Sequence, residues 1–225
     1  MKIDRELKIL LISTAVLGVL IPIIMFVSAK IVPFCSVCYL WNADPSGNTL
    51  TQWSVFQTWD AYHYLYLATH WYAPDIMQNA FYPLLPALLR LGSIVFFKQT
   101  LLTGFIVSNL LLLGIVTLLY TIVKSQFQKQ VAFVSCVFLL AFPTSFFFHL
   151  IYTESLFLFL VLLLFYALNK QNLLLVCLIG ILLPLTRPQG VLVLVPVLFF
   201  LLTQRKIFHL VHLYVVFMSF AVGFL

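Results

Sequence analysis

The stretch PLLPALLRLGSIVFF at residues 83–97 decides how this chain is arranged in a membrane. It is apolar enough to be taken for a crossing, yet it has only 15 residues and carries Arg90 near its middle. A spanning helix needs about 20 predominantly apolar residues. Whether this stretch crosses fixes the side of the membrane on which every later loop lies.

The composition places the chain as a whole in a membrane. Of its 225 residues, 64% are hydrophobic and 8% are charged, and the mean hydropathy is +1.13. Soluble globular domains are about 45–50% apolar and about 25% charged, so a water-soluble fold is excluded. In a chain this apolar, the formal net charge of +6 is typical of basic cytoplasmic loops and predicts no nucleic-acid partner.

The apolar runs predict an all-α, polytopic membrane helical bundle that forms a single transmembrane domain over residues 1–225. The first run, 7–29, resembles a signal peptide, but it is too long for the apolar core of one. Residues 31–100 are expected to form a large outer loop with interfacial helices, and 101–225 to hold six further spans. We expect these spans at 101–123, 130–148, 152–168, 172–186, 190–203 and 207–225.

The basic residues choose between the two arrangements of 83–97. If this stretch lies at the membrane surface, eight of the 12 Lys and Arg residues share the side of the N-terminus and four lie opposite. If it crosses, five lie on the side of the N-terminus and six lie opposite, and Arg90 is left inside the membrane. Because cytoplasmic loops are rich in Lys and Arg, we expect seven spans, a cytoplasmic N-terminus and a surface or re-entrant helix at 83–97. The eight are Lys2, Arg5, Lys8, Lys124, Lys129, Lys170, Arg205 and Lys206; the four are Lys30, Arg90, Lys98 and Arg187.

This topology places Asp60, Glu154 and Arg187 together on the non-cytoplasmic side. Glu154 is the only acidic residue after Asp75, and a charge in the bilayer interior costs about 2.5–3.5 kcal/mol on insertion scales. One explanation is local: Thr153 caps a helix and Glu154 answers its dipole. A second is a structural ion pair with Arg187. A third is a ligand site, in which the guanidinium fork of Arg187 binds phosphate.

The aromatic stretch WDAYHYLYLATHWY at 59–72 predicts one interfacial helix with Asp60 in its first turn. An aromatic belt helix would explain it without any chemistry. An Asp beside imidazole and phenol groups is also what a general base or a sugar site requires. Asp60, His63 and His70 could hold a divalent metal, although we predict no metal and no cofactor. Cys35 and Cys38 predict a local disulfide or two buried thiols.

Three motifs in order resemble the PIG-V-type mannosyltransferases, which add the second mannose in GPI-anchor synthesis, and their bacterial relatives. The first is Trp59-Asp60-x-x-His63-Tyr64-Leu65-x-x-Ala68 with Ala80-Phe81-Tyr82-Pro83-Leu84-x-Pro86. The second is Phe142-Pro143-Thr144-Ser145-Phe146-Phe147-Phe148 with Tyr152-Thr153-Glu154-Ser155-Leu156-Phe157. The third is Thr186-Arg187-Pro188-Gln189-Gly190.

The resemblance implies a glycosyltransferase of the GT-C type. It implies Asp60 as the catalytic residue, a polyprenyl- or dolichyl-phosphate sugar donor, and a glycan or glycolipid acceptor at the non-cytoplasmic face. We expect mannose or a similar hexose to be transferred with inversion, in the bacterial inner membrane or, in a eukaryote, the endoplasmic reticulum. Relatives are longer, so the chain is expected to be a truncated or minimal version. The residues expected to bind substrate are Trp59, His63, Tyr64, His149, Glu154, Arg187 and Gln189.

Two other functions remain open. A transporter or channel component would use Glu154 and Arg187 as a gate, and it predicts polar residues spread through several spans. Here the polar residues cluster in outer loops. A non-catalytic assembly subunit, or a degenerate enzyme, is the other alternative.

Overall fold

The computed structural model describes residues 3–32, 54–203 and 210–224, and these ranges are helical without any strand. Short 3₁₀ turns lie at Ser54–Gln57, Met77–Ala80, Ser145–His149 and Pro188–Val193. The predicted cysteine pair Cys35 and Cys38, and the basic residues Lys2, Arg205 and Lys206, lie outside the described ranges. The helices are α1 (Arg5–Ile31), α2 (Asp60–His70), α3 (Leu84–Val95), α4 (Thr100–Gln126), α5 (Lys129–Ala141), α6 (Thr153–Asn169), α7 (Leu173–Leu182), α8 (Leu194–Thr203) and α9 (Leu210–Phe224).

Two of the described helices, α1 and α4, are long and apolar enough to cross a membrane. Each has 27 residues and so measures about 40 Å at 1.5 Å per residue, against a hydrocarbon thickness of about 30 Å. Only 11% of the apolar window of α1 and 28% of that of α4 are buried. A core helix of a soluble protein would be mostly buried, so these exposed apolar surfaces indicate membrane association.

The other predicted spans are shorter in the structure. The predicted span 130–148 is wrong as one helix, because α5 ends at Ala141 and Phe142 is extended ahead of Pro143. A residue before proline is driven out of the helical region. The predicted span 190–203 begins as a 3₁₀ turn and becomes α-helical at Leu194. The short apolar helices have 10–17 residues, so the number of crossings stays a prediction.

Helix α3 occupies the stretch that decides the topology. Its 12 residues reach about 18 Å, less than the hydrocarbon thickness of about 30 Å. Other described apolar helices are equally short, so the surface or re-entrant placement of α3 stays a prediction. Leu85 and Leu89 are buried in the main core, whereas Leu91 and Ile94 are exposed. Its first residue, Leu84, donates its backbone N–H to the carbonyl of Leu185 at 3.0 Å, which ties α3 to the segment just before Arg187.

The bundle has two distinct ends. Asp4, before α1, pairs with Lys124 near the end of α4, and Glu6 pairs with Lys129 at the start of α5; we call this the N-terminal end. At the start of α4, a Cβ on Gly104 would come within 2.6 Å of Ile151. Since Gly104 and Lys124 are 20 residues apart, or about 30 Å along the helix, Ile151 and the segments bonded to it lie at the opposite end, which we call the distal end.

Candidate functional site

Asp60 begins α2 at the distal end. It lies in the first helical turn, as predicted, and its side chain is exposed. The preceding Trp59 has φ 51°, a backbone region that costs a non-glycine residue about 1–3 kcal/mol. The Trp59 ring lies 6.0 Å from that of Phe147. The exposed carboxylate therefore follows a strained turn that is braced by aromatic contact.

Arg187 and Glu154 form an ion pair. Arg187 Nη2 lies 3.0 Å from Glu154 Oε1, and its Nε donates to Thr153 Oγ1 at 3.1 Å. The guanidinium also lies over the Phe157 ring at 5.5 Å. Glu154 Oε2 is buried and has no hydrogen-bond partner among the described residues. The pair satisfies one oxygen of Glu154 and leaves the other unused.

The loop after Arg187 depends on a close backbone approach. Arg187 is extended, and the 3₁₀ turn Pro188–Val193 follows it. The Gly190 N–H donates to the Arg187 carbonyl at 2.9 Å. A Cβ on Gly190 would lie 2.2 Å from the Leu183 carbonyl oxygen, so no larger residue fits there. Gly190 therefore fixes the turn that presents the guanidinium.

Contacts between distant segments bring Asp60 to this ion pair. Tyr152 donates its hydroxyl to the Thr58 carbonyl at 3.0 Å, which joins the start of α6 to the start of α2. The Tyr64 hydroxyl faces the Thr153 side chain. The charges of both Glu154 and Arg187 act on Asp60. Asp60, Glu154 and Arg187 thus share the distal end, and we call them the distal cluster.

The distal cluster shifts the pKa of Asp60 upward. The residue as a whole is exposed, but neighbouring groups displace part of the water around its carboxylate, and this desolvation is the main cause. The negative charge of Glu154 adds to it, while His63 and Arg187 act in the opposite direction. Burial also raises the pKa of Tyr64 to about 12, so this phenol stays protonated at neutral pH. A carboxylate with a raised pKa is a better proton acceptor than an ordinary Asp.

His63 lies against the cluster from within α2. It is buried and stacks on Phe81 with ring centroids 4.4 Å apart. Burial lowers its pKa, and the charge of Asp60 opposes that shift. Its Nδ1 is buried without a hydrogen-bond partner among the described residues. A mainly neutral imidazole at this position can donate or accept one hydrogen bond.

One of the predicted substrate-binding residues, His149, does not join the distal cluster. His149 is buried inside the bundle, where its Nδ1 lies 2.7 Å from Asn109 Oδ1. The structure therefore gives no support to a contact between His149 and a substrate at the cluster. Gln189 is exposed on the turn after Arg187. Arg90, on α3, lies over the Trp71 ring at 5.6 Å, at the far end of α2.

The alternative metal trio is not assembled. His70 ends α2 and stacks on Tyr66, with its Nδ1 2.8 Å from Thr69 Oγ1. Ten residues separate it from Asp60, which is about 15 Å along a helix. Within the described ranges, no group of three or more His, Cys, Asp or Glu side chains could hold a metal ion.

The role of Thr153 was not predicted from the sequence. Its hydroxyl was a candidate helix cap, but the residue at the N-cap of α6 is Tyr152, and no side chain caps the helix. The Thr153 hydroxyl instead accepts hydrogen bonds from Arg187 Nε and Nη2. The sequence of a Thr-Glu pair at the start of a helix is the same whether the Thr caps that helix or bonds to a distant Arg.

Comparison of the chain with protein-family models, with curated proteins and with solved structures finds no match. The motif resemblance to the PIG-V-type enzymes is therefore an expectation from the residues of this chain alone.

Proposed function

We propose that this chain is a multi-pass membrane glycosyltransferase that moves mannose, or a similar hexose, from a polyprenyl-phosphate sugar to an acceptor hydroxyl. The observation that carries the proposal is the pair of contacts that brings Asp60 to Glu154 and Arg187: Tyr152 is bonded to Thr58 at the start of α2, and Arg187 is paired with Glu154 at the start of α6. Asp60, Glu154 and Arg187 come from segments about 90 and 30 positions apart in the chain, and each is in one of the three motifs that resemble the family.

In the proposed reaction, Asp60 takes the proton of the acceptor hydroxyl while that oxygen attacks the anomeric carbon of the donor sugar. A new C–O bond forms as the bond between the anomeric carbon and the phosphate oxygen breaks, and the bonding electrons leave with the lipid phosphate. A single displacement inverts the anomeric configuration. The raised pKa of Asp60 favours this role, and general-base catalysis contributes about 10²–10⁴-fold in rate.

Arg187 is the group placed to stabilise the phosphate that leaves. Its guanidinium is held by Thr153 and Glu154 on one side, so its orientation is fixed before substrate arrives. Fixed charges aimed at a developing anion lower the barrier without reorganisation. Glu154 orients Arg187, and its second oxygen, which has no partner among the described residues, can accept a hydrogen bond from a sugar hydroxyl. The exposed ring of Trp59 offers a face to the sugar, whereas Tyr64, which was also predicted to bind substrate, is buried against Phe81 and offers none.

The topology belongs to the same proposal. Seven spans of the GT-C type, with a cytoplasmic N-terminus, would place the distal cluster on the non-cytoplasmic side, where the outer loop meets the lipid headgroups. The exposed apolar surfaces of α1 and α4 support the membrane setting.

A non-catalytic assembly subunit is the second candidate, and the ion pair itself favours it. The 3.0 Å contact between Arg187 and Glu154 accounts for both charges without any substrate. It does not account for Asp60, whose carboxylate makes no hydrogen bond with the described residues and bears a raised pKa.

Purified protein in lipid nanodiscs, given labelled polyprenyl-phosphate mannose and membrane-lipid acceptors, separates the two candidates. We expect labelled product of inverted configuration from the wild type. Asp60→Ala should abolish transfer while the protein still inserts and folds. Wild-type turnover by Asp60→Ala would refute the role of Asp60, and absence of transfer by the wild type would favour the assembly subunit.

A further inference from the structure

A cavity of about 230 Å³ lies at the N-terminal end of the bundle, between the last turns of α4 and α6. The two helices pack closely on the way to it, since a Cβ on Gly114 of α4 would come within 2.6 Å of the Phe159 ring of α6. We call this cavity the α4–α6 pocket. Most of its lining side chains are polar; the walls are formed by Thr121, Ile122, Ser125, Tyr166, Asn169 and Lys170.

The α4–α6 pocket lies at the level of the lipid headgroups. Thr121 is 21 residues from Thr100, the first residue of α4, which is about 32 Å along the helix. The hydrocarbon core of a bilayer is about 30 Å thick. Since α4 is one of the two described helices that are long and apolar enough to cross a membrane, the pocket reaches the polar surface at the end opposite the distal cluster.

Lys170 gives the pocket a positive charge that no carboxylate of the described residues neutralises. At the same end, Lys124 is paired with Asp4 and Lys129 with Glu6, whereas Lys170 forms no ion pair within the described ranges. None of the residues that line the pocket is acidic. The pocket therefore favours an anion.

Capping reduces the negative charge that the two helix ends present to the pocket. The C-terminus of a helix carries partial negative charge on its unbonded carbonyls. In α6, the backbone N–H groups of residues 170–172 each donate to a carbonyl of the last turn at 3.0 Å. In α4, the Phe127 N–H donates to the Val123 carbonyl at 2.8 Å. The ammonium of Lys170 is thus not offset by these carbonyls.

The polar groups of the pocket divide into donors and acceptors. The Lys170 ammonium, which lies over the Tyr166 ring at 5.8 Å, is a donor, as are the Asn169 amide and the Tyr166 phenol. The hydroxyl protons of Thr121 and Ser125 are already donated to backbone carbonyls of α4 at 2.7 Å, so these two oxygens can only accept. A ligand that matches both sets has an anionic acceptor and hydroxyl donors.

We propose that the α4–α6 pocket binds the headgroup of an anionic phospholipid whose phosphate carries a polyol, such as phosphatidylglycerol. The phosphate accepts hydrogen bonds from Lys170, Tyr166 and Asn169, and the polyol donates to Thr121 and Ser125. The volume of about 230 Å³, against about 30 Å³ for one water molecule in the liquid, holds a phosphate with a glycerol group. Basic pockets between spanning helices on the cytoplasmic side bind anionic headgroups. The site goes beyond the proposed function and does not depend on it.

Native mass spectrometry of the purified full chain measures lipid binding without any sugar transfer. The probes are phosphatidylglycerol, phosphatidylmethanol, which is anionic but has no headgroup hydroxyl, and zwitterionic phosphatidylcholine. We expect phosphatidylglycerol to bind most tightly and phosphatidylcholine least tightly. Equal binding of phosphatidylglycerol and phosphatidylcholine would overturn the proposal.

Removal of the pocket's charge tests where the anion binds. Lys170→Gln should weaken phosphatidylglycerol binding by about fivefold, the effect of one basic residue near a membrane surface, and leave phosphatidylcholine binding unchanged. Lys8→Gln is the matched control, because Lys8 is an exposed lysine at the same end, on α1 and outside the pocket. Equal losses in the two variants would indicate a diffuse attraction to the basic surface and overturn the site.

Removal of the two acceptors tests the polyol. The double variant Thr121→Val, Ser125→Ala should reduce the preference for phosphatidylglycerol over phosphatidylmethanol and keep the preference for both over phosphatidylcholine. An unchanged preference for phosphatidylglycerol would contradict the role of the polyol.

A soluble phosphate ester has the same chemistry as the headgroup, and competition distinguishes the two sources. Glycerol 3-phosphate at the same concentration as the lipid should not displace phosphatidylglycerol, because the membrane holds the lipid headgroup at the depth of the pocket. Displacement at equal concentration would assign the pocket to a soluble ester and overturn the lipid site.

Discussion

The two ends of the bundle use the same kinds of residue in opposite ways. At the N-terminal end, Asp4 pairs with Lys124 and receives the Tyr120 hydroxyl at 3.0 Å, while Glu6 lies 3.1 Å from Lys129. Each acid there has its own base. These pairs join the ends of α1, α4 and α5 over a small separate core that includes Leu10 and Cys136.

The distal cluster is not balanced in this way. It has two carboxylates and one guanidinium, a buried oxygen on Glu154 without a partner among the described residues, and a strained residue beside Asp60. The pKa values separate the two ends: Lys124 and Tyr120 lower the pKa of Asp4, whereas burial and Glu154 raise that of Asp60. Charges that only join helices are paired with opposite charges. A carboxylate in excess of the nearby bases, with a raised pKa, is typical of a functional site.

The largest expected difference between the ends is catalytic. Asp60→Asn should lower sugar transfer by about 10²–10⁴-fold, because it removes the proton acceptor and preserves the shape of the side chain. Asp4→Asn, at the N-terminal end, should leave transfer nearly unchanged. Initial rates with labelled polyprenyl-phosphate mannose measure both, and equal losses in the two variants would contradict a special role for the distal end.

Replacing the basic residue at each end, Arg187 and Lys124, by the other basic type sharpens the comparison of the two ends. Arg187→Lys should reduce transfer by about 10²-fold, since an ammonium cannot hold Thr153 and Glu154 while it faces phosphate, and loss of one preorganised donor typically costs that much. Lys124→Arg keeps a single surface pair and should be neutral. The ratio of kcat/KM values reports both, and retention of full activity by Arg187→Lys would leave the guanidinium without a catalytic role.

The pH dependence of transfer tests the coupling within the distal cluster. Activity should fall as pH drops through the raised pKa of Asp60, because the base must be ionised. Glu154→Gln removes a negative charge that raises this pKa, so the acid limb of the profile should move to lower pH. Glu6→Gln is the matched control and should leave the limb in place. A shift to higher pH in Glu154→Gln would contradict the assigned electrostatics.

The smallest expected effect is on stability, and its sign differs between the ends. Because the folded state raises the pKa of Asp60, the ionised form costs stability above the ordinary pKa, and Asp60→Asn should raise the melting temperature. Because the folded state lowers the pKa of Asp4, its charge stabilises above the ordinary pKa and loses that effect as pH falls through the lowered value. Asp4→Asn should therefore lower the melting temperature.

Thermal unfolding near neutral pH measures both stability changes. Each shift should be no more than about 2–4 °C for a chain of this length. A lower melting temperature in both variants would remove the contrast between the two ends.

Sequence patterns were sufficient where the signal is local. The start of α2 at Asp60 and the short helix at 84–95 follow from aromatic spacing, proline and length, and both were predicted. Sequence patterns failed where the residue that a side chain contacts is distant along the chain. The bond between His149 and Asn109 joins residues 40 positions apart, so His149 looked like a loop residue open to substrate. Likewise, the position of Thr153 in the sequence predicted a helix cap, whereas in the structure its hydroxyl accepts a hydrogen bond from Arg187.

The most direct test of the account is the side of the membrane on which each end lies. Single-cysteine variants at Asp60 and Lys124, with the native Cys35, Cys38, Cys136 and Cys177 replaced, can be labelled in sealed, oriented vesicles by a maleimide that does not cross the membrane. We predict that Asp60→Cys and Lys124→Cys react from opposite sides. Reaction of both from the same side would contradict the two-ended arrangement and the outward-facing site built upon it.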